Sequence, residues 1–334
     1  MTKQYFIEKD YISLKVSMKN GVVINLSERI AYDNTAKNKY MKGMLIQPVS
    51  FKIAADITKA ILLEAICTPK PGLVDRNNSG AHKDMDISTY MLSSAAISHF
   101  MAIAAQLGSD HRGDLDSLLP KLRSIGLSAE EEMFLATDNI NTQKGLIFSG
   151  MLIAAASGYL TIRETGDLKS ARILATVQGI TKGIVQRELI QMDKNESKIS
   201  PGEFVFLDTG ITGIRGEAEK GFPHADAAYQ VITKAIASEI PLERGMIMAL
   251  LFLMTRVDDT NILARHGSDT LTWVRSEANK LVLSEDAYSD TWLERVIALD
   301  QEFIDQNISP GGCADLLAVA LMLHYLTKPD KNRR

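Results

Sequence analysis

Two cysteines in 334 residues, Cys67 and Cys313, are too few for a disulfide framework, and neither belongs to the paired spacing of a zinc site. A reducing compartment is expected. The N-terminal MTKQYFIEKDYISLKV scatters charges where a secretory signal needs an apolar run. No later segment approaches about 18 uninterrupted apolar residues, so neither export nor membrane anchoring is expected and the protein reads as cytoplasmic. The most apolar window, 145–160, contains Gly150, Ser157 and Gly158 and suits a buried core helix. Net charge is −4, from 37 basic and 41 acidic residues. That balance excludes a nucleic-acid coat or a docking face for anionic membranes, so any polyanion must be held by a local group. There is no internal repeat and no low-complexity tract.

What the chain does have is apolar periodicity. Ile12, Leu14, Val16 and Met18 alternate with polar residues up to Asn20-Gly21, and Val22, Ile24 and Leu26 continue beyond it. This is the pattern of a two-residue β-hairpin. An isolated hairpin is marginal in water, so it is expected to cover the helical part or to pair with a second copy in a homodimer. From Phe51 the period becomes helical: Ile53, Ile57 and Ile61 lie four apart, and Thr68-Pro69 ends that helix. Further helices are predicted at 87–107, 115–126, 129–138, 143–160, 168–192, 223–238, 241–257, 268–283, 290–306 and 312–326. The expected fold is all-α, a single domain of about ten helices over 51–328, with a hairpin extension over 1–50 and a disordered tail over 329–334.

Polar clusters interrupt these helices at their ends. Thr68 to Asp86 mixes prolines and glycines, which set a loop path, with Lys70, Arg76, His82, Asp84 and Asp86. Asp84 and Asp86, and the adjacent Asp258-Asp259, are hard-oxygen groups suited to Mg²⁺ bound with phosphates. Helix capping explains any one of them equally well. Ser128-Ala129-Glu130-Glu131 matches a capping box, which leaves Glu132 as the catalytic candidate there. Asn141, Thr142 and Lys144 open the next helix, where unpaired N–H groups favour an anion; a lysine in a first helical turn needs an anion nearby. Arg215, Glu217 and His224 lie among glycines, Arg265 and His266 follow Asp259, and SPGGCAD opens the last helix without the lysine of a P-loop.

The segments TPKPGLVDRNNSGAHKDMD, NTQKGLIFSG, GIRGEAEKGFP, DDTNILARHG and SPGGCADLLA together resemble the triphosphoribosyl-dephospho-CoA synthase family, over about residues 52–326. The resemblance implies transfer of the triphosphoribosyl group of ATP to the 2′-hydroxyl of 3′-dephospho-CoA with release of adenine. The product would pass to a carrier-protein transferase of citrate lyase or malonate decarboxylase. The family pattern has histidine where this chain has Gln143 and glycine-valine where it has Asn139-Ile140, so no imidazole role carries over to that position. Cleavage of the N-glycosidic bond needs a carboxylate near the sugar, a proton donor near the base and a base for the incoming hydroxyl. The expected roles are Asp84, Asp86 and Asp259 for Mg²⁺ and triphosphate, Glu132 or Glu217 for ring charge or deprotonation, and His82 for adenine protonation. Lys70, Arg76, Asn141, Thr142, Lys144, Arg215, His224 and Arg265 are expected to bind substrate. A second reading is a helical, Mg²⁺-dependent diphosphate enzyme of the prenyl-transferase type, although the DDxxD spacing is absent. A third, a non-enzymatic helical scaffold, requires the polar clusters to scatter over the surface.

Overall fold

The structure, a computed structural model, describes residues 38–329 apart from 42 and 192–198, together with strand residues 18–19, 22–23 and 30–31. The expected turn residues Asn20 and Gly21, the strand positions before 18, Ile24 and Leu26, and the tail beyond 329 lie outside the described residues. Within them, β1 (Met18–Lys19) pairs antiparallel with β2 (Val22–Val23), Met18 opposite Val23, which is the hairpin register expected from the alternation. A second short ladder joins β3 (Ile30–Ala31) to β4 (Leu45–Ile46).

The rest is helical. In chain order the helices are α1 (Pro48–Ile66), α2 (Ile87–Asp110), α3 (Leu119–Ala136), α4 (Lys144–Thr161), α5 (Ser170–Thr181), α6 (Pro201–Thr209), α7 (Gly213–Glu219), α8 (Pro223–Ala237), α9 (Leu242–Met254), α10 (Thr260–Val282), α11 (Asp290–Asp305) and α12 (Gly311–Leu326). A 3-10 turn (Leu115–Leu118) leads into α3, and a π-helical turn (Gln186–Ile190) follows α5.

Several boundaries differ from the sequence expectation for identifiable reasons. The windows 115–126 and 129–138 belong largely to one helix: Ser128 is interior to α3, and its hydroxyl accepts from Asn38 Nδ2 at 3.1 Å rather than capping a new start. The window 168–192 breaks after Thr181, with Gly183 at φ +74°. α10 begins at Thr260, eight residues early, and a kink at Gly267 (φ +79°) marks where the expected helix begins. α6 and α7 lie in stretches read as loop.

α2 and α4 form the centre, in contact with each other and with α1 and α3. Small residues allow a very close crossing. A Cβ on Gly108 would lie 1.9 Å from Ala155 O, and one on Gly158 would lie 2.0 Å from Ala105 O. Both helices are long and apolar enough to cross a membrane by length and composition alone. The apolar window of α4 is 72% buried within the protein, and that of α2 44%; their shared contact makes them core helices, as expected of 145–160. α12, buried from Leu316 to Leu323, packs on α1, α4, α8 and α9 and brings its N-terminus to the N-terminal ends of α4 and α10.

Candidate active site

The loop from α1 to α2 is built by its own polar groups. After the cis Thr68–Pro69 bond, the Asp75 carboxylate accepts from the backbone N–H of Lys70 (3.2 Å), Asn77 (2.6 Å) and Asn78 (3.1 Å). Asp300 of α11 anchors the turn, accepting from Gly72 N at 2.9 Å and Asn78 Nδ2 at 2.9 Å. Gly72 has φ +71°, and a Cβ there would sit 2.0 Å from Ile308 O, so the loop and the α11–α12 connection fit only without a side chain. This fixed path delivers His82, Lys83 and Asp84 to the rim of a cavity of about 650 Å³.

Four of the polar clusters of the sequence contribute to that cavity: 82–85, 141–145, the Asn261, Arg265 and His266 group, and 309–315. They arrive on or beside the N-terminal turns of α2, α4, α10 and α12. On one side His82 Nε2 lies 3.0 Å from Ser309 Oγ, and its Nδ1 lies 3.9 Å from Asp84 Oδ1. Burial, and secondarily the Arg265 guanidinium, lower the pKa of His82, with Asp84 opposing. The other side is a hydrogen-bonded lattice. Buried Gln143 accepts from Ser93 Oγ (3.0 Å) and donates to Ser94 Oγ (3.1 Å), and Thr142 Oγ1 donates to Ser93 Oγ (2.7 Å). Asn141 Oδ1 accepts from Lys144 N at 3.3 Å, and Lys144 Nζ reaches Glu130 Oε2 at 2.8 Å, the anion that a lysine in a first turn needs. His266 Nε2 is 3.0 Å from Asn307 O.

The sequence reading did not single out several lining residues, Glu64, Lys83, Tyr90 and Asn307, and it marked Asp315 only as the end of the SPGGCAD cluster. Glu64 is the exposed-type residue that continues the Ile53, Ile57, Ile61 stripe, and a lone carboxylate on a buried face was its signal. Burial, with Glu64, Asp315 and Asp84 adding, pushes the Tyr90 phenol far above its usual range. Asp315 lies one turn into α12 against Gly145, where a Cβ would meet its Oδ2 at 2.1 Å.

Other expected site residues are committed elsewhere and do not line the cavity. Lys70 is buried behind it in an ion pair with Glu64 at 2.6 Å, so its charge is spent inside the protein. Arg76 pairs with Glu243 of α9 at 2.6 Å. Asp86 closes a capping box with Thr89 at the start of α2, and those hydrogen bonds lower its pKa. Asp259 caps α10 and also accepts from Cys313 N at 2.9 Å, which ties the starts of α10 and α12 together. Asp258 pairs with Arg275 at 2.6 Å. Glu132 lies on α3 away from the cavity. Arg215 bonds Glu188 and Glu203, each at 2.9 Å, and Arg123 joins the same network through Glu188. His224 Nδ1 lies 2.6 Å from Glu217 Oε1, a hydrogen bond that raises the histidine pKa.

Among the described residues no group of three His, Cys, Asp or Glu side chains is placed to hold a metal ion. Of the three expected Mg²⁺ ligands only Asp84 faces the cavity, because backbone N–H groups occupy the carboxylates of Asp86 and Asp259. The acids present do not form a resident magnesium site of the expected composition.

A polar cavity with cations on its rim, built at helix N-termini in an all-helical protein, has the chemistry to suit an anionic small molecule. The sequence profile of the family described as CitG, ATP:dephospho-CoA triphosphoribosyl transferase, matches residues 50–334. The chain is 37% identical over 286 residues to a probable 2-(5''-triphosphoribosyl)-3'-dephosphocoenzyme-A synthase of Malonomonas rubra, covering 85% of this chain and 90% of that protein. It is 40% identical over 271 residues to a probable synthase of the same name from Albidiferax ferrireducens, covering 80% and 88%. It is also 37% identical over 280 residues to the Escherichia fergusonii 2-(5''-triphosphoribosyl)-3'-dephosphocoenzyme-A synthase, covering 83% and 92%. No solved structure matches the chain. The chain belongs to the ATP:dephospho-CoA triphosphoribosyl transferase family.

Proposed function

We propose that the cavity binds ATP and 3′-dephospho-CoA together and moves the 5-triphosphoribosyl group of ATP to the 2′-hydroxyl of dephospho-CoA, releasing adenine. The observation that carries this reading is the meeting of four family segments, distant in sequence, around one cavity. α4 and α12 begin there with no side-chain cap, so their N-terminal dipoles favour an anion. Lys83, Lys144 and Arg265 add positive charge on the same rim. Lys83 and Arg265 have no ion-pair partner among the described residues, which leaves both for phosphate oxygens.

The triphosphate stays on the transferred ribose and acts as a handle, so binding energy far from C1′ positions the reacting carbon. Magnesium would arrive with ATP as part of the substrate, and Asp84 is the rim carboxylate that would be available to it. As the C1′–N9 bond breaks, positive charge grows on the ribose and negative charge on adenine. The carboxylates of the cavity oppose the first, and a proton must answer the second. His82, its pKa depressed, is a neutral hydrogen-bonding group at neutral pH rather than a standing acid. The product passes to a transferase that loads a carrier protein. Two free, buried thiols, Cys67 and Cys313, agree with a cytoplasmic setting.

The test is direct. Purified protein incubated with ATP, Mg²⁺ and dephospho-CoA should yield free adenine and an adduct of dephospho-CoA enlarged by one triphosphoribosyl group, both read by mass spectrometry. Release of diphosphate without adenine would refute the proposal and return the diphosphate-enzyme reading.

A further inference from the structure

Three oxygen groups at the inner end of the cavity stand apart from its cationic rim: Glu64 on α1, Tyr90 on α2 and Asp315 on α12. Their surroundings differ sharply. Glu64 Oε1 accepts from buried Lys70 Nζ at 2.6 Å, and no described residue hydrogen-bonds Oε2. Asp315 has no hydrogen-bond partner among the described residues and presses against the bare backbone of Gly145 at the first turn of α4. One carboxyl is thus paired with a cation, and its neighbour is not.

We infer that Asp315 is the acid that protonates departing adenine and that Glu64 is the base that receives the proton of the acceptor hydroxyl. This rests on the function proposed above. Burial, then Glu64, then Asp259 raise the pKa of Asp315 well above the usual carboxylate range, which favours its protonated form. Two neighbouring carboxyls with opposite environments divide the acid and base tasks between them. The balance closes without an outside donor. Asp315 gives its proton to an adenine ring nitrogen as the C1′–N9 bond breaks and its electron pair goes to the base. The 2′-oxygen of dephospho-CoA forms the new bond to C1′ and loses its proton to Glu64. Transfer of that proton from Glu64 to Asp315 restores both groups. Lys70 is a positioning residue in this scheme, since it holds Oε1 of a glutamate that lines the cavity and leaves Oε2 without a described partner.

The experiment compares full-length wild type, D315N and E64Q with two donors: ATP, and nicotinamide riboside 5′-triphosphate, whose pyridine leaves as a neutral base without protonation. Single-turnover release of adenine should fall by about 100-fold or more in D315N. Its melting temperature and its equilibrium affinity for ATP should stay near wild type. Relative to wild type, D315N should be nearly normal in releasing nicotinamide, whereas E64Q should be slow with both donors. Equal loss with both donors in D315N, or undiminished adenine release, would overturn the inference. Should wild type reject the analogue, the chemical step in D₂O decides: a smaller slowing in D315N, where only the transfer to Glu64 still moves a proton, than in wild type supports the assignment, and an equal effect in both refutes it. Failure of wild type to release adenine from ATP would instead sink the proposed function itself.

Discussion

Replacing Lys70 by methionine tests the energetic core of the site. Lys70 and Glu64 have side chains only 2% and 5% exposed and an N–O distance of 2.6 Å. At an effective dielectric near 20, charges at that separation attract by about 6 kcal/mol. Desolvation of both groups offsets much of this, so the pair adds little compared with an apolar pair of the same volume. Removing one member is different, because it strands the other. Lys70→Met leaves the Glu64 carboxylate buried beside Asp315 with no cation. Breaking a buried pair from one side costs about 3–5 kcal/mol. For a chain of this size that is a fall of about 6–10 °C in melting temperature, at about 2 °C per kcal/mol. The double variant Lys70→Met, Glu64→Leu should recover most of the loss. The assay is urea and thermal unfolding followed by circular dichroism, with adenine release measured in parallel. Stability should return in the double variant while activity stays lost. A single variant that unfolds within about 1 kcal/mol of wild type, or a double variant no better than the single, would refute the reasoning.

Other outcomes follow from the same geometry. Asp86→Ala should lower the melting temperature through loss of the α2 cap and leave the reaction intact, whereas Asp84→Asn should lower adenine release with little change in stability; the two readouts together check the division. Gly158→Ala drives a Cβ to 2.0 Å from Ala105 O and should destabilise by about 1–3 kcal/mol or more, while Gly202→Ala, in open space on α6, should be neutral or stabilising. The folded-state pKa of His224 is raised by its hydrogen bond to Glu217, so the native protein binds more protons than the unfolded chain just above the ordinary value of 6.5. The stabilisation from this pair should be complete below that value and fade as pH rises through the folded one. A melting-temperature profile against pH should show that slope, and His224→Gln should flatten it. Titration by NMR should place His82 below the ordinary histidine value and His224 above it.

The helical fold was legible wherever a helix buries one continuous face, as in α1, α2, α4, α8, α9, α11 and α12. α6 escaped because only Val205 is buried, so it has no apolar stripe, although Ser200, Pro201 and Glu203 spelled out its start. α7 was hidden by Gly213 and Gly216, which read as loop. Within the site, residue type announced the polar clusters, but side chains at helix ends have two employments and the sequence cannot apportion them. Asp84 lines the cavity while Asp86, two residues on, caps a helix. Arg265 is left for a ligand while Arg215, equally flanked by polar groups, is claimed by Glu188 and Glu203, from segments with which its spacing has no relation. Glu64 escaped for the opposite reason, and Asp315 was marked only as the end of a polar cluster. Both sit on apolar helices, and only the packing of α1 against α12 makes them neighbours.

The claim on which the account turns is that the triphosphate binds in the cavity and not at the Arg215, Glu217 and His224 cluster. Equilibrium binding of Mg²⁺·ATP measured by calorimetry decides it. Lys83→Ala combined with Arg265→Ala removes two charge-assisted contacts of about 1.5–3 kcal/mol each and should weaken binding by 100-fold or more. Glu217→Gln combined with His224→Gln should leave the affinity unchanged. The reverse pattern, with wild-type affinity in the first pair and loss in the second, would contradict it.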